Sequence, residues 1–286
     1  MAALMALSLS TTFVSCSDND DDDTNLAKEV AGIYNGYSIG ECNMFSDYLL
    51  GDKSSATITA NEDGTINLSY KSGSGDFTLN NLKLSAKSFS GSGEVAMSMS
   101  GSSTGSTYDY TLEGSVNDSK ELTLKAKVSI TVPMGDMTIV FTQGEVPFIY
   151  NIAATYQYNS SLAVSVGSTS FGSTTDSKAV IKRASDTTVN ITLNGFAKID
   201  TGNPAMALGD FTIEGVKVTA GANGTYALSL ESYESTDSTG KVIKGDSFSG
   251  TIAADGTATI TTDFKPGSMP FAITANFTGN KTASVE

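Results

Sequence analysis

Gly75-Asp76-Phe77-Thr78-Leu79, followed by Leu82-Lys83-Leu84, returns later in the chain as Gly209-Asp210-Phe211-Thr212-Ile213, followed by Val216-Lys217-Val218, at an offset of 134 residues. In both passages apolar side chains alternate with polar ones, as on a strand with one wet face. The alternation then slips, advancing by three residues from Leu79 to Leu82 and from Ile213 to Val216. A strict period-two strand cannot do this. One extra residue, at Asn80-Asn81 and at Glu214-Gly215, is what a β-bulge needs to bend a long strand around a barrel corner. The twin motif reads as architecture, with Gly at a turn, Asp bonding local amides and Phe filling the core; a ligand-contact role is the alternative.

Other echoes keep the same order. Asp63-Gly64-Thr65-Ile66-Asn67-Leu68 pairs with Asp186-Thr187-Thr188-Val189-Asn190-Ile191 at an offset of 123, and Phe141-Thr142 pairs with Phe277-Thr278 at 136. The chain therefore holds two copies of one unit, and the step from 123 to 134 marks about eleven residues inserted in the second copy between Asn194 and Leu208. A seam is expected near Gln143 to Asn151, where Pro147 suits a strand end or a short linker.

Eight strands are predicted in the first copy: Ile33 to Ile39, Ala56 to Ala60, Thr65 to Tyr70, Phe77 to Ala86, Gly93 to Ser100, Thr107 to Val116, Glu121 to Thr131 and Asp136 to Thr142. Turn signals at Asp63-Gly64, Asn117-Asp118, Asn223-Gly224 and Asp255-Gly256 suit tight hairpins. Hairpin links favour an up-and-down meander, and eight antiparallel strands closing into a barrel leave no aggregation-prone edge. The predicted fold is all-β: two tandem antiparallel eight-stranded up-and-down barrels, over residues 30–146 and 150–282.

Composition sets the outer bounds. Among 286 residues, 17 are basic and 31 acidic, for a formal charge of −14, with no His, no Trp and two Cys. Apolar residues at 39% are enough to fill cores. The charge argues against nucleic acid, whose phosphates need clustered Lys and Arg. Without His there is no His-dependent triad, proton shuttle or metal site.

Residues 1–15 read as a signal peptide and 16–29 as an acidic tether. Ala2 to Val14 are small and mostly apolar, Ser15 precedes Cys16, and Ser17-Asp18-Asn19-Asp20-Asp21-Asp22-Asp23 follows. The run is too short to span a bilayer, and no other apolar stretch approaches the length of a membrane helix. It resembles a bacterial lipoprotein signal cut so that Cys16 becomes the acylated first residue. No Lys or Arg precedes it, which fits a start codon farther upstream, and Phe13 stands where such signals usually carry Leu. An ordinary thiol in a cleaved signal is the other reading of Cys16. The acid run reads as a solvated spacer; more sharply, it resembles the export signal that brings Bacteroidetes lipoproteins to the cell surface, with a periplasm-facing anchor as the alternative. The run lacks the spaced ligands of a calcium loop. Cys42 has no partner once Cys16 is acylated and reads as a buried thiol.

The tandem copies, the Asp63-Gly64-Thr65 hairpin, the Gly-Asp-Phe-Thr strand and the closing Phe277-Thr278-Gly279 strand, behind an acidic lipoprotein leader, resemble the calycin-like β-barrel lipoproteins of Bacteroidetes. In the first copy the closing element differs, as Phe141-Thr142-Gln143-Gly144. The resemblance implies a lipocalin-type barrel in each half, and it carries over no activity and no functional residue.

Tests for catalysis find little. Gly73-Ser74-Gly75 and Gly91-Ser92-Gly93 are turn material and not a nucleophile elbow. Paired carboxylates remain the only catalytic device, as in glycoside hydrolases; the candidates Glu94, Glu113, Glu214 and Glu231 sit at outward positions, where solvated strand faces explain them. Tyr34, Tyr37, Tyr108, Tyr110, Tyr156 and Tyr158 either stack on a ligand or plug the barrels. Met97, Met99, Met134 and Met137 either line a pocket or fill gaps. The expected role is a lipid-anchored envelope binding protein of the outer membrane, exposed at the cell surface and held through Cys16, with a small apolar molecule, a glycan or a partner protein as ligand. A structural or adhesive protein with filled barrels is the runner-up and a carboxylate-based hydrolase the third reading. No cofactor, catalytic residue or metal ligand is expected.

Overall fold

Period-two alternation rich in Thr, Val, Ile and Tyr leaves backbone hydrogen bonds to be made between strands, and short polar turns make those pairings antiparallel. The computed structural model of the chain describes residues 20–73, 75–99, 106–130, 133–200 and 207–282. They fall into two compact units, Met1–Glu145 and Val146–Glu286.

The first unit opens with helix α1 (Asp20–Val30) and continues through β1 (Gly32–Glu41), β2 (Tyr48–Ala60), β3 (Ile66–Ser72), β4 (Gly75–Leu82), β5 (Leu84–Ser85), β6 (Ser88–Met99), β7 (Ser106–Val116), β8 (Leu122–Ser129) and β9 (Asp136–Gln143). Each main strand pairs antiparallel with its chain neighbours, and β1 also pairs with β9. The ring closes where β4 meets β6, at Gly75↔Met99 and Asp76↔Ser98. In the second unit, β10 (Ala154–Val166), β12 (Lys178–Arg183), β13 (Thr188–Asn194), β14 (Phe211–Ala220), β15 (Tyr226–Leu230), β17 (Val242–Ile252), β18 (Thr257–Pro266) and β19 (Ile273–Lys281) form a closed ring. Two short strands lie off it: β11 (Thr169–Thr174) on β10, and β16 (Tyr233–Thr236) on β17. Both units are the predicted up-and-down barrels.

The bulges lie where the alternation slips. Two residue steps along β3, from Ile66 to Leu68, are matched by three along β4, from Leu82 back to Leu79, and two along β13, from Val189 to Ile191, by three along β14, from Val216 back to Ile213. The extra residue takes a left-handed backbone at Asn81 (φ 58°) and at Gly215 (φ 70°). Its amide donates to a side chain one strand away, Asn81 N to Asn67 Oδ1 at 2.9 Å and Gly215 N to Asn190 Oδ1 at 3.0 Å. An unladdered amide thus finds an acceptor, and the repeated Asn67 and Asn190 gain a reason.

The lower end of each barrel is stoppered by the segment just before its first strand. In the first, Ala27 and Val30 of α1 are buried in the core, and the Tyr34 hydroxyl donates to the Val30 carbonyl at 2.6 Å. In the second, a single 3-10 turn, Phe148–Asn151, buries Ile149 and with it Ile152, and the Tyr156 hydroxyl donates to the Ile152 carbonyl at 2.9 Å. The same offset of 122 relates Ala27 to Ile149, Val30 to Ile152 and Tyr34 to Tyr156. Burial raises the pKa of both phenols.

Four readings need correction. Gly91-Ser92-Gly93, read as turn material, lies inside β6, which starts at Ser88 and not at Gly93, because β7 pairs along this whole stretch. The acidic tether is helical from Asp20, because acids suit the first turn of a helix and Ala27 and Val30 supply an apolar stripe with a barrel end to cover. The single strand Phe77 to Ala86 breaks at Lys83 into β4 and β5, since β5 turns back on β6 through Leu84↔Phe89. The strand Ala56 to Ala60 begins earlier, at Tyr48; Gly51-Asp52-Lys53-Ser54 looks like a turn, but pairing with β1 draws it into the sheet.

Candidate functional site

Large side chains occupy the barrel interiors. In the first barrel Tyr70 stacks on Phe77 at 4.7 Å between ring centres, and its hydroxyl donates to the buried Ser38 Oγ at 2.6 Å. In the second, Phe196 stacks on Phe211 at 5.1 Å and meets Phe264 edge-on at 6.0 Å. Phe196 belongs to the inserted stretch of the second copy. Gly195, with φ 116°, lets the chain turn out of β13 into a 3-10 turn, Phe196–Lys198, and Ile199 and Leu208 are buried beside it. Phe196, Ile199 and Leu208 of the insertion therefore stopper the upper end of the second barrel. At the same position the first copy makes only the short turn between β3 and β4.

On the outside of the second barrel the wall is split. The first half of β14 pairs with β13, and β16 pairs with β17, so the facing edges of β14 and β16 form no ladder. They are bridged by the Ser235 hydroxyl donating to the Thr212 carbonyl at 2.7 Å. Along this seam runs an open groove of about 450 Å³. Thr192, Thr212, Ser235, Thr236 and Ser238 line it with Asp210, Glu214, Glu234, Asp237 and the buried Phe211, and the hydroxyls of Thr192 and Thr212 bond each other at 2.8 Å.

The four carboxylates divide into two kinds. Asp210 Oδ1 accepts the amides of Gly195 and Phe196 at 2.9 and 3.1 Å, fixing the stopper. The buried Asp237 accepts the amides of Gly209, Thr239 and Lys241, each at 2.9 Å, and the Thr239 hydroxyl at 2.7 Å. Burial alone would raise its pKa; the Thr239 hydroxyl and the three amides outweigh that and hold it below the ordinary carboxylate range. Both are structural acceptors. Glu214 and Glu234 are exposed and make no ion pair or hydrogen bond among the described residues. What the groove offers a ligand is thus a hydroxyl-rich wall with two exposed carboxylates, suited chiefly to hydrogen-bond donors, with Phe211 also in its lining.

Sequence-level candidates scatter. Glu94, Glu113, Glu214 and Glu231 are all exposed, and of these Glu214 alone lines the groove. Tyr34 and Tyr156 are the stopper locks, Tyr108 and Tyr110 are half-buried against the first core, Tyr37 is half-buried, and Tyr158 is 65% exposed. Met137 is buried and Met134 packs on the same core; the side chains of Met97 and Met99 lie outside the described residues. Cys42 is a half-buried free thiol against the first core, whereas a buried one was expected. Cys16 and Asp18 lie outside the described residues. In the twin motif, Asp76 Oδ1 accepts the Ser72 amide at 3.0 Å and Phe77 and Phe211 are buried, as architecture requires. No cluster of metal-ligating side chains occurs among the described residues, and no helix among them is long and apolar enough to cross a membrane. The groove itself escaped sequence reading, since its residues come from strands that fail to pair.

Relatives bear on the fold and the family. A protein of Bacteroides fragilis NCTC 9343, named a candidate outer membrane protein in its crystal structure, is 46% identical, with a TM-score of 0.76 over 90% of this chain and 99% of that one. A protein of unknown function from Nostoc punctiforme PCC 73102 aligns at 10% identity over 93% of this chain and 100% of that one, with a TM-score of 0.27 that carries no argument. No curated protein matches the chain. The family model of the calycin-like beta-barrel domain matches residues 30–144 and again 154–280. With two matches spanning both barrels, the chain belongs to the calycin-like β-barrel domain family.

Proposed function

We propose that the chain is a lipid-anchored protein of the bacterial outer membrane, held through acylated Cys16 and exposed at the cell surface, which binds a polar ligand, a glycan or a partner protein, on the outside of its barrels. One observation carries the ligand part. In the second barrel Phe196, Phe211 and Phe264 fill the inside, while the wall opens outward in a groove lined with hydroxyls and carboxylates. A small apolar molecule inside a barrel has less support, because large side chains stand where it would lie.

The envelope part draws on the leader ending at Cys16 and on the Bacteroides fragilis relative, whose name refers to the outer membrane. The role is one of recognition and not catalysis, and a formal charge of −14 turns nucleic acid away. A structural or adhesive role is the second reading. It is favoured by the filled interiors and by Met44 and Tyr48, exposed at one end of the first barrel.

Native mass spectrometry of the mature protein from its own host tests both parts. The expected result is acyl mass on Cys16 and a further retained mass that is lost in Thr236→Trp, which fills the groove. A bare acylated polypeptide would remove the ligand part, and an unmodified Cys16 would remove the anchor.

A further inference from the structure

We infer that the α1 end of the first barrel faces the lipid surface and that the opposite end, around Met44, points away from it. The inference rests on the acylated Cys16 proposed above. What it adds comes from α1. Four peptide steps separate Cys16 from Asp20, at most about 14 Å of extended chain. From Asp20 to Ala27 the helical rise adds about 10 Å. Ala27 is buried in the barrel core, so this end stays within about 25 Å of the acylated residue, where an extended spacer over 16–29 would reach about 45 Å.

Measured from Ala27, the far end lies beyond the roughly 25 Å that the chain back to Cys16 can span. Strand β2 has 13 residues and is about 40 Å long at the usual rise, so even a tilted barrel stands some 30 Å tall. The near end comprises α1 and the turns 61–65, 83–87 and 117–121, and the far end includes the segments 42–47 and 133–135, joined by the Asn43 amide donating to the Met134 carbonyl at 3.1 Å.

Charge does not explain the orientation. The near end carries Lys28, Lys83, Lys87 and Lys120 together with Glu29, Glu62, Asp63, Asp118 and Glu121. Lys87 pairs with Glu29 and Asp118, and Lys120 donates to the Glu29 carbonyl. With the cations balanced, the surface is no basic docking face, and the short covalent reach holds it. Ile33, exposed on the outer wall at the start of β1, offers an apolar contact to the headgroup layer.

The test uses the full acylated chain in phosphatidylcholine and phosphatidylglycerol vesicles that carry a nitroxide on the lipid headgroup. With Cys42→Ala as background, a fluorophore is placed by Ser119→Cys at the near end or by Met44→Cys at the far end, both exposed positions. Quenching is expected to be several-fold stronger at 119 than at 44, and to vanish at both in Cys16→Ala. Equal quenching of the acylated protein at the two positions, or stronger quenching at 44, overturns the orientation and leaves the anchor standing. Absence of acyl mass on Cys16 overturns both.

Discussion

Phe196→Ala removes the ring that stoppers the upper end of the second barrel. Phe196 is 1% exposed and touches two other rings, Phe211 and Phe264. Deleting a buried Phe side chain costs about 3–5 kcal/mol through lost transfer energy and the cavity left behind. A loss of about 4 kcal/mol corresponds to nearly a thousandfold, at tenfold per 1.4 kcal/mol. Hydrogen exchange with mass spectrometry reads the two halves separately: the most protected amides of β13, β14 and β18 should exchange close to a thousand times faster. Phe271→Ala is the control, since Phe271 is 47% exposed and should cost under about 1 kcal/mol. If Phe196→Ala accelerates exchange by less than tenfold, or no more than Phe271→Ala does, the insertion is not a stopper and the filled-interior reasoning fails with it.

Three further outcomes are expected. Asn67→Ala and Asn190→Ala each strand a bulge amide and should cost about 1–2 kcal/mol in urea unfolding, with the two costs additive because the sites lie in separate units. Asp237→Asn should destabilise by about 2 kcal/mol at neutral pH; because the folded-state pKa lies below the unfolded one, the difference from wild type should persist above about pH 4 and shrink as acid titrates the wild-type carboxylate, as acid titration of both proteins would reveal. Burial raises the pKa of the Tyr156 and Tyr233 phenols, so the unfolded chain gives up these protons first, and stability should fall as pH rises above about 10; absorbance of the phenolates on alkaline titration should show them ionising only with unfolding.

Local chemistry was legible in the sequence, and long-range closure was not. The bulges could be placed to a pair of neighbouring residues because a slipped alternation is written in the chain itself, at Leu79 to Leu82 and at Ile213 to Val216. The hairpins at Asp63-Gly64 and Asp255-Gly256 were legible: Gly64 and Gly256 have φ 79° and 83°, and Asp63 and Asp255 bond the amides of Thr65 and Thr257. At Asn117-Asp118 the left-handed residue is instead Lys120, with φ 61°, which composition gave no reason to choose. In β2 the stretch Gly51-Asp52-Lys53-Ser54 is polar and holds a breaker, and only its partner β1 makes it a strand. The acid run looked like a spacer because its charge dominates the eye, while the two side chains that count, Ala27 and Val30, lie at its far end. The groove depends on where one wall parts, and residues 192, 210–214 and 234–238 share no pattern that a linear reading would join.

The paired stoppers say where the ancestral gene segment began. Since Ala27, Val30 and Tyr34 answer to Ile149, Ile152 and Tyr156, what was copied included the few codons upstream of the first strand, so the seam between the halves is the inherited front edge of the second. A second half expressed from Ala154 onward would look whole by family comparison and yet lack its own floor.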